Sequence, residues 1–400
     1  MRIALYEVSL DGHRFSYIRA IGSEAVRRGW KPTLVLPSTV RSHPAIGALS
    51  DCVGPQNILF GDYATPELKS ISPLGLLMHH LRNHQVASGA LQSFLPRCDF
   101  VYFPTLDYLD QAILLRGSPS GTVPMGGMSM RVRFHMRAAG IDSRVTRAAS
   151  VAGALAFRRL LKLPSVRCVT TADPTLGEYS RGRGTKDFRK VRYVPELGMV
   201  VPAMDVTEAR TYLGLEKRQH VVLVYGAISV RKGIPELLSA VARLGDLPLC
   251  VLIVGQADDK AREFLETPYV MKMVNAGRVK LRMSYSGDLD EAAAFAAADA
   301  VWVAYRNHST MSGVFLQAVC AHRPVITADY GILPWLAARD GVGISVDATD
   351  PDSTAGRIAD LFSDHGKYDT YRENTVRIAA RHLPSSFGSS VCDAIASSLN

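Results

Sequence analysis

Cysteine is scarce and scattered in this 400-residue chain: Cys52, Cys98, Cys168, Cys250, Cys320 and Cys392 form no Cys-x-x-Cys pair and keep no ligand-like spacing to histidine. That pattern excludes a disulfide framework, and the thiols are expected to be reduced and mostly buried. No apolar run approaches the roughly 18 residues that a membrane-spanning helix needs, so none is expected. The opening Met1-Arg-Ile-Ala-Leu-Tyr-Glu reaches Glu7 and Asp11 too early for a signal-peptide core, and a cytoplasmic location is expected. Internal repeats and low-complexity tracts are also lacking. What is present is ordinary for a folded protein, with 47% hydrophobic and 21% charged residues, and the length favours two domains.

Charge is the exception. Lys and Arg (46) exceed Asp and Glu (37), and the whole excess lies in the first 200 residues, which carry 26 basic against 14 acidic side chains. Residues 131–192 alone hold 15 basic side chains against Asp142, Asp173, Glu178 and Asp187. Such a region asks for an acidic partner.

The second half reads as alternating buried strands and amphipathic helices. Strands are predicted at 220–225, 249–254, 279–285, 300–305, 324–328 and 343–346, with helices at 233–244, 288–298, 312–321, 333–338 and 351–362. Continuous apolar strands separated by helices indicate a doubly covered parallel sheet. The first half repeats this grammar more loosely, with strands predicted at 3–8, 32–37, 100–103, 122–126, 168–171 and 191–194 and a helix at 17–28. Two Rossmann-like domains follow, divided where Pro195 to Pro202 interrupts the pattern: 1–197, 198–380, and a helical segment 381–400 expected to pack back on the first. A ligand would bind at the carboxyl ends of the strands.

Two loops carry candidate chemistry. Gly226-Ala-Ile-Ser-Val-Arg-Lys-Gly233 joins a buried strand to a helix and combines flexible glycines, the Ser229 hydroxyl and two cations, Arg231 and Lys232, at a helix start that already favours anions. It matches neither a P-loop nor a Gly-x-Gly-x-x-Gly fingerprint, so its spacing alone fits a solvated Arg-Lys pair as well as a phosphate grip. The second runs from Tyr305 through Ser309 to Ser312-Gly313, where a Ser N-cap and a residue without a side chain let a helix start approach a diphosphate. Gln317 follows within an otherwise apolar helix; a peripheral Gln behind an ordinary cap is the alternative. Asp288-Leu-Asp290 and Asp350-Pro-Asp352 sit where helix caps are expected, and no metal site is assigned to them.

Together these loops, within residues 220–348, resemble the donor half of nucleotide-sugar glycosyltransferases of the GT-B fold, in particular the large retaining family with an E-x7-E motif. Lys232 matches the family's lysine. Arg231 stands in for its arginine, where this chain has Ala227. Ser309 and Gln317 occupy the two glutamate positions, and His322 replaces the glycine before Arg323-Pro324. The resemblance implies two Rossmann-like domains facing a central cleft, and donor binding by Gly226, Ser229, Ser309, Ser312, Gly313 and Gln317. It implies leaving-group stabilisation by Arg231, Lys232 and helix-start amides without a metal or cofactor. Retention of configuration and a hexosyl donor follow from the resemblance alone.

The first half should then hold the acceptor. Gly12 and His13 lie in the loop after the first strand, and Arg131 and His135 in a later one, where a neutral His135 would orient an acceptor hydroxyl. Residues 143–162 form a basic amphipathic helix with Phe157, Leu160 and Leu161 beside Arg158, Arg159 and Lys162, suited either to anionic lipid or to packing on its own sheet. No nucleic-acid partner is expected, because no recognised binding module accompanies the charge. The resulting expectation is a transferase moving sugar from a nucleoside diphosphate sugar to a glycan acceptor, membrane-associated or lipid-linked, in bacterial polysaccharide assembly at the inner face of the cytoplasmic membrane. A nucleotide-sugar epimerase and an inactive nucleotide-binding scaffold are the alternatives.

Overall fold

The computed structural model describes residues 1–399 apart from 11–12, 64–67, 69–71, 93, 142–144, 199–200, 246 and 284–286, and for His13 and Pro73 the backbone alone. The chain divides into two compact units, one built from residues 1–140 and 145–197 with the C-terminal stretch from Pro384 onward, the other on Gly198–Leu383.

In the first unit, the described residues form seven strands: β1 (Arg2–Tyr6), β2 (Lys31–Pro37), β3 (Ile58–Gly61), β4 (Phe100–Phe103), β5 (Met125–Met128), β6 (Val166–Thr171) and β7 (Val191–Tyr193). All pair in parallel, in the order β3-β2-β1-β4-β5-β6-β7. Ile3, Leu5 and Phe100 face one apolar core, and Ala4, Val101 and Phe103 the other, as expected of a sheet covered on both sides. Sequence patterning does not reveal β3, a four-residue edge strand with one buried position. It also places β5 too early, because Pro124 has no N–H for the ladder and the strand starts one residue later.

The helix Pro384–Leu399 belongs to this unit. Phe387, Val391 and Ile395 enter the core beside Tyr17, Ile18 and Ile21 of the helix His13–Arg27. The Tyr17 and Phe387 rings stack at 4.9 Å, and Arg28 Nη1 meets Asp393 at 2.8 Å.

In the second unit the described strands are β8 (His220–Tyr225), β9 (Leu249–Val254), β10 (Val279–Arg282), β11 (Ala300–Val303), β12 (Val325–Ala328) and β13 (Gly343–Val346). They too pair in parallel, in the order β10-β9-β8-β11-β12-β13. The crossover from β9 to β10 uses two short helices, Asp259–Leu265 and Pro268–Asn275, each opened by a side-chain cap, Asp258 and Thr267. Asp350 caps the helix Pro351–Ser363. Asp290 is instead held by Arg282 and Tyr212.

Each sheet reverses its strand order once, between β1 and β4 and between β8 and β11. The loops leaving these strands at their carboxyl ends are where the fold leaves a crevice for a ligand. All six thiols are free, and among the described residues no helix is long and apolar enough to cross a membrane.

Candidate functional site

The two loops singled out in the second half leave β8 and β11, the strands that flank the reversal. Gly226 leads out of β8, and a Cβ there would sit 3.7 Å from Lys232 Nζ and 3.8 Å from Val314 Cγ2 in the first turn of the helix Gly313–Cys320. The loops therefore converge on a surface kept bare of side chain. Gly233, at φ +68, closes the first loop, and a Cβ there would meet the Ala304 carbonyl at 2.6 Å. Only glycine allows that approach.

Lys232 is 4% exposed. Its Nζ donates to the Tyr225 carbonyl (2.6 Å) and the Tyr305 hydroxyl (3.2 Å), while Trp302 Nε1 donates to the Lys232 carbonyl at 2.8 Å. Burial, reinforced by neighbouring Arg231, lowers its pKa to about 7. Tyr305, which sequence analysis does not mark as functional, is buried, and burial pushes its hydroxyl up to about 12, so it stays protonated. Ser312 caps the helix Gly313–Cys320, accepting from Phe315 N. The Lys232–Tyr305 pair and the capped first turn of that helix thus meet at Gly226.

Arg231 is exposed, and its Nη1 lies 3.2 Å from His308 Nδ1. Burial and Arg231 depress the His308 pKa, and its Nε2 faces the Met311 carbonyl at 3.1 Å. The assignment consistent with both contacts is a neutral imidazole that donates from Nε2 and accepts from Arg231. Ser229 precedes the turn Val230–Lys232 without a cap bond from its hydroxyl. Ser309 is buried, and its carbonyl accepts from Ile332 N.

Gln317, expected among the donor-binding residues, lies on the helix that Ser312 caps. It is 5% exposed, and its amide donates to Glu291 Oε1 at 3.0 Å, while Tyr225 donates to Glu291 Oε2 at 2.7 Å. Glu291 is half-buried on the helix Asp288–Ala297. Its one visible signal in the sequence is a charged residue in an alanine run.

At the other reversal, Gly12 lies outside the described residues, as does the His13 side chain. Arg131 is described: its guanidinium lies 4.7 Å from the Tyr108 ring, and its amide donates to Asp107 Oδ1. Asp107 is buried, accepts from Ser129 Oγ and Met130 N as well, and is pushed up by desolvation. Glu7, one residue past β1, is 2% exposed, accepts from Val8 N, Arg14 Nη1 and Thr105 Oγ1, and is likewise raised by burial. Sequence reading passes over both acids, although Glu7 directly follows an apolar strand.

His135, expected at an acceptor hydroxyl, has no exposed surface. Its Nε2 meets Asp173 Oδ2 at 2.8 Å and Thr175 Oγ1 at 3.0 Å, and Asp173 caps the helix Pro174–Arg183. In this arrangement it ties the turn Met136–Ala139 to that helix and offers no atom to a solvent-borne acceptor.

If an anion binds at the first site, the lowered pKa of Lys232 should make that binding pH-dependent. An anion selects the charged form, so with a free-state pKa about 7 its affinity should fall roughly tenfold per pH unit above that value. Calorimetry of nucleoside diphosphate binding near pH 8, in buffers of different ionisation enthalpy, should show proton uptake. No uptake would mean that Lys232 is charged before the ligand arrives or does not meet it.

Residues 219–364 match the family described as glycosyl transferases group 1. No curated protein matches the sequence. The fold is similar to that of sucrose-phosphate synthase (tll1590) from Thermosynechococcus elongatus, with TM-score 0.70 and 17% identity over 99% of this chain and 98% of that one. It is also similar to Anabaena Alr3699/HepE in complex with UDP-glucose, with TM-score 0.64 and 15% identity over 99% and 100%. A third similar structure is WaaG, a glycosyltransferase involved in lipopolysaccharide biosynthesis, with TM-score 0.58 and 17% identity over 98% of each chain. The two parallel-sheet α/β units are those of the GT-B fold.

Proposed function

We propose that this chain is a glycosyltransferase that takes a hexosyl group from a nucleoside diphosphate sugar and delivers it to a membrane-associated or lipid-linked glycan acceptor, in bacterial polysaccharide assembly. The observation that carries the reading is the buried Lys232 ammonium, hydrogen-bonded to Tyr305 at Gly226, where the capped start of the helix Gly313–Cys320 also approaches. As the glycosidic bond breaks, charge develops on the diphosphate oxygens. A cation and free helix-start N–H groups that are already oriented stabilise that charge without reorganising. Exposed Arg231 adds a second cation. Metal independence follows if these groups suffice, and retention is read from the family likeness of the donor half. UDP-glucose, the ligand of the similar Anabaena protein, is a reasonable first donor to try.

On the acceptor side, Glu7, Asp107, Arg131 and Tyr108 gather where β1 and β4 diverge. Carboxylates and an aromatic ring there suit a polyhydroxylated ligand.

The test is incubation with a panel of nucleotide sugars and a membrane extract, scored for nucleoside diphosphate release with and without chelator. Acceptor-dependent release from one donor, insensitive to chelator, is expected. Tight binding with no turnover on any extract would overturn the transferase reading in favour of a scaffold. Interconversion of the donor sugar without release would favour an epimerase.

A further inference from the structure

The helix Arg147–Lys162 carries four cations and no acidic residue across its 16 positions. Sequence reading takes Phe157, Leu160 and Leu161 as its apolar side. The structure turns those three inward, at 5%, 2% and 0% exposure, into the core beneath the sheet. They serve packing and leave nothing for a partner.

A second apolar set remains outside. Val151 is 55% and Leu155 59% exposed, with exposed Ala148 and Ala152 completing the 148, 151, 152, 155 spacing that aligns side chains on one helix face. Arg147 lies one turn before Val151, and Arg158, Arg159 and Lys162 follow the stripe. Arg158 is partly engaged by Asp187 at 3.5 Å, which leaves Arg147, Arg159 and Lys162 as the exposed cations of this helix with no ion pair to an acidic side chain among the described residues. Leu115, 66% exposed, lies on the helix Asp110–Arg116, which packs beside this one.

We propose that this outward face docks on an anionic phospholipid bilayer, with Val151 and Leu155 entering the headgroup boundary and Arg147, Arg159 and Lys162 set over lipid phosphates. The arrangement of charge decides the partner. A phosphate polymer would satisfy the cations but gain nothing from covering a valine and a leucine. A bilayer interface offers anions and an apolar layer at adjacent depths, and a helix about 24 Å long lying flat meets both. Two inserted side chains and three cations give a reversible, salt-sensitive attachment rather than a permanent anchor. The proposal rests on the reading of the acceptor as membrane-associated, since a surface of this kind would bring the enzyme to such a substrate.

The test is flotation of the full chain with vesicles of phosphatidylcholine alone or with about 30% phosphatidylglycerol, at low and high salt. Binding to the anionic vesicles alone is expected, falling roughly tenfold or more at high salt. Val151→Asp/Leu155→Asp should weaken binding roughly tenfold or more at either salt, and Arg159→Gln/Lys162→Gln should weaken it by a similar factor and flatten the salt dependence. All four positions are exposed, so nucleoside diphosphate binding, measured on the same preparations, should be unchanged and certifies the fold.

Equal recovery of the wild type with neutral and anionic vesicles would overturn the proposal. So would an aspartate variant that floats as well as the wild type, because the face would then be a general polyanion surface. Vesicle binding without turnover of any nucleotide sugar would leave this surface standing and remove the transferase. Turnover without vesicle binding would do the reverse.

Discussion

Replacing Lys232 with alanine should slow nucleoside diphosphate release by about two orders of magnitude or more at neutral pH, the usual cost of losing one preorganised donor to a developing oxyanion. Nζ sits at the convergence of both loops, beside bare Gly226 and against Tyr305. No other described lysine lies in these loops. Removing the ammonium also strips a donor from the buried Tyr225 carbonyl, at about 1–3 kcal/mol, so a stability loss alone does not identify a catalytic role. The discriminating readout is pH. If the lysine meets the leaving group, the wild-type fall in donor affinity above pH about 7 should vanish in Lys232→Ala. Unchanged turnover, or a pH profile the variant retains, would remove Lys232 from the mechanism.

Gly255→Ala is expected to destabilise the second unit by about 4 kcal/mol or more, lowering its melting temperature by roughly 10 °C. Gly255 follows β9 at φ +138, and a Cβ there would lie 1.9 Å from the Gly226 carbonyl oxygen. The obstruction is backbone, and Gly226 N is itself bonded to the Val254 carbonyl at 3.0 Å. Relief therefore means moving the loop that holds Lys232, and anion binding should weaken along with stability. Gly245→Ala is the control. That residue also has positive φ, +54, but nothing lies within 4 Å of where its Cβ would sit, so only the backbone strain of about 1 kcal/mol applies. Calorimetric unfolding checks both. A Gly255→Ala protein as stable as Gly245→Ala would show that the close approach to Gly226 is not maintained in solution.

Much of the second unit is legible in the sequence because parallel strands buried on both faces must be apolar throughout. His220–Tyr225 and Leu249–Val254 announce themselves, and the loops between strands and helices follow by subtraction. β3 is hidden because an edge strand of four residues, with a single buried position, needs no such run. The helices between β9 and β10 are hidden by shortness, although Asp258 and Thr267-Pro268 mark their starts.

The candidate site divides in the same way. Residue types and spacing single out Gly226, Arg231 and Lys232 in one strand-to-helix loop and Ser312 and Gly313 in another, because each loop is a continuous stretch of chain. Partners that come from elsewhere in the chain are invisible. Gln317 turns to Glu291, 26 residues away, His135 is enclosed by Asp173, 38 residues away, and Lys232 meets Tyr305 across 73. The helix Arg147–Lys162 shows the limit most plainly. Its periodicity sets out two apolar stripes, Phe157 with Leu160 and Leu161, and Val151 with Leu155, and tertiary packing decides which one the core takes. Sequence by itself determined the sheet grammar, the two-domain division of the charge and the cationic loop, since each depends on local periodicity or composition. Only the tertiary structure decided which buried polar groups satisfy one another and which face is left to a partner, because those outcomes depend on what the fold brings near from distant segments.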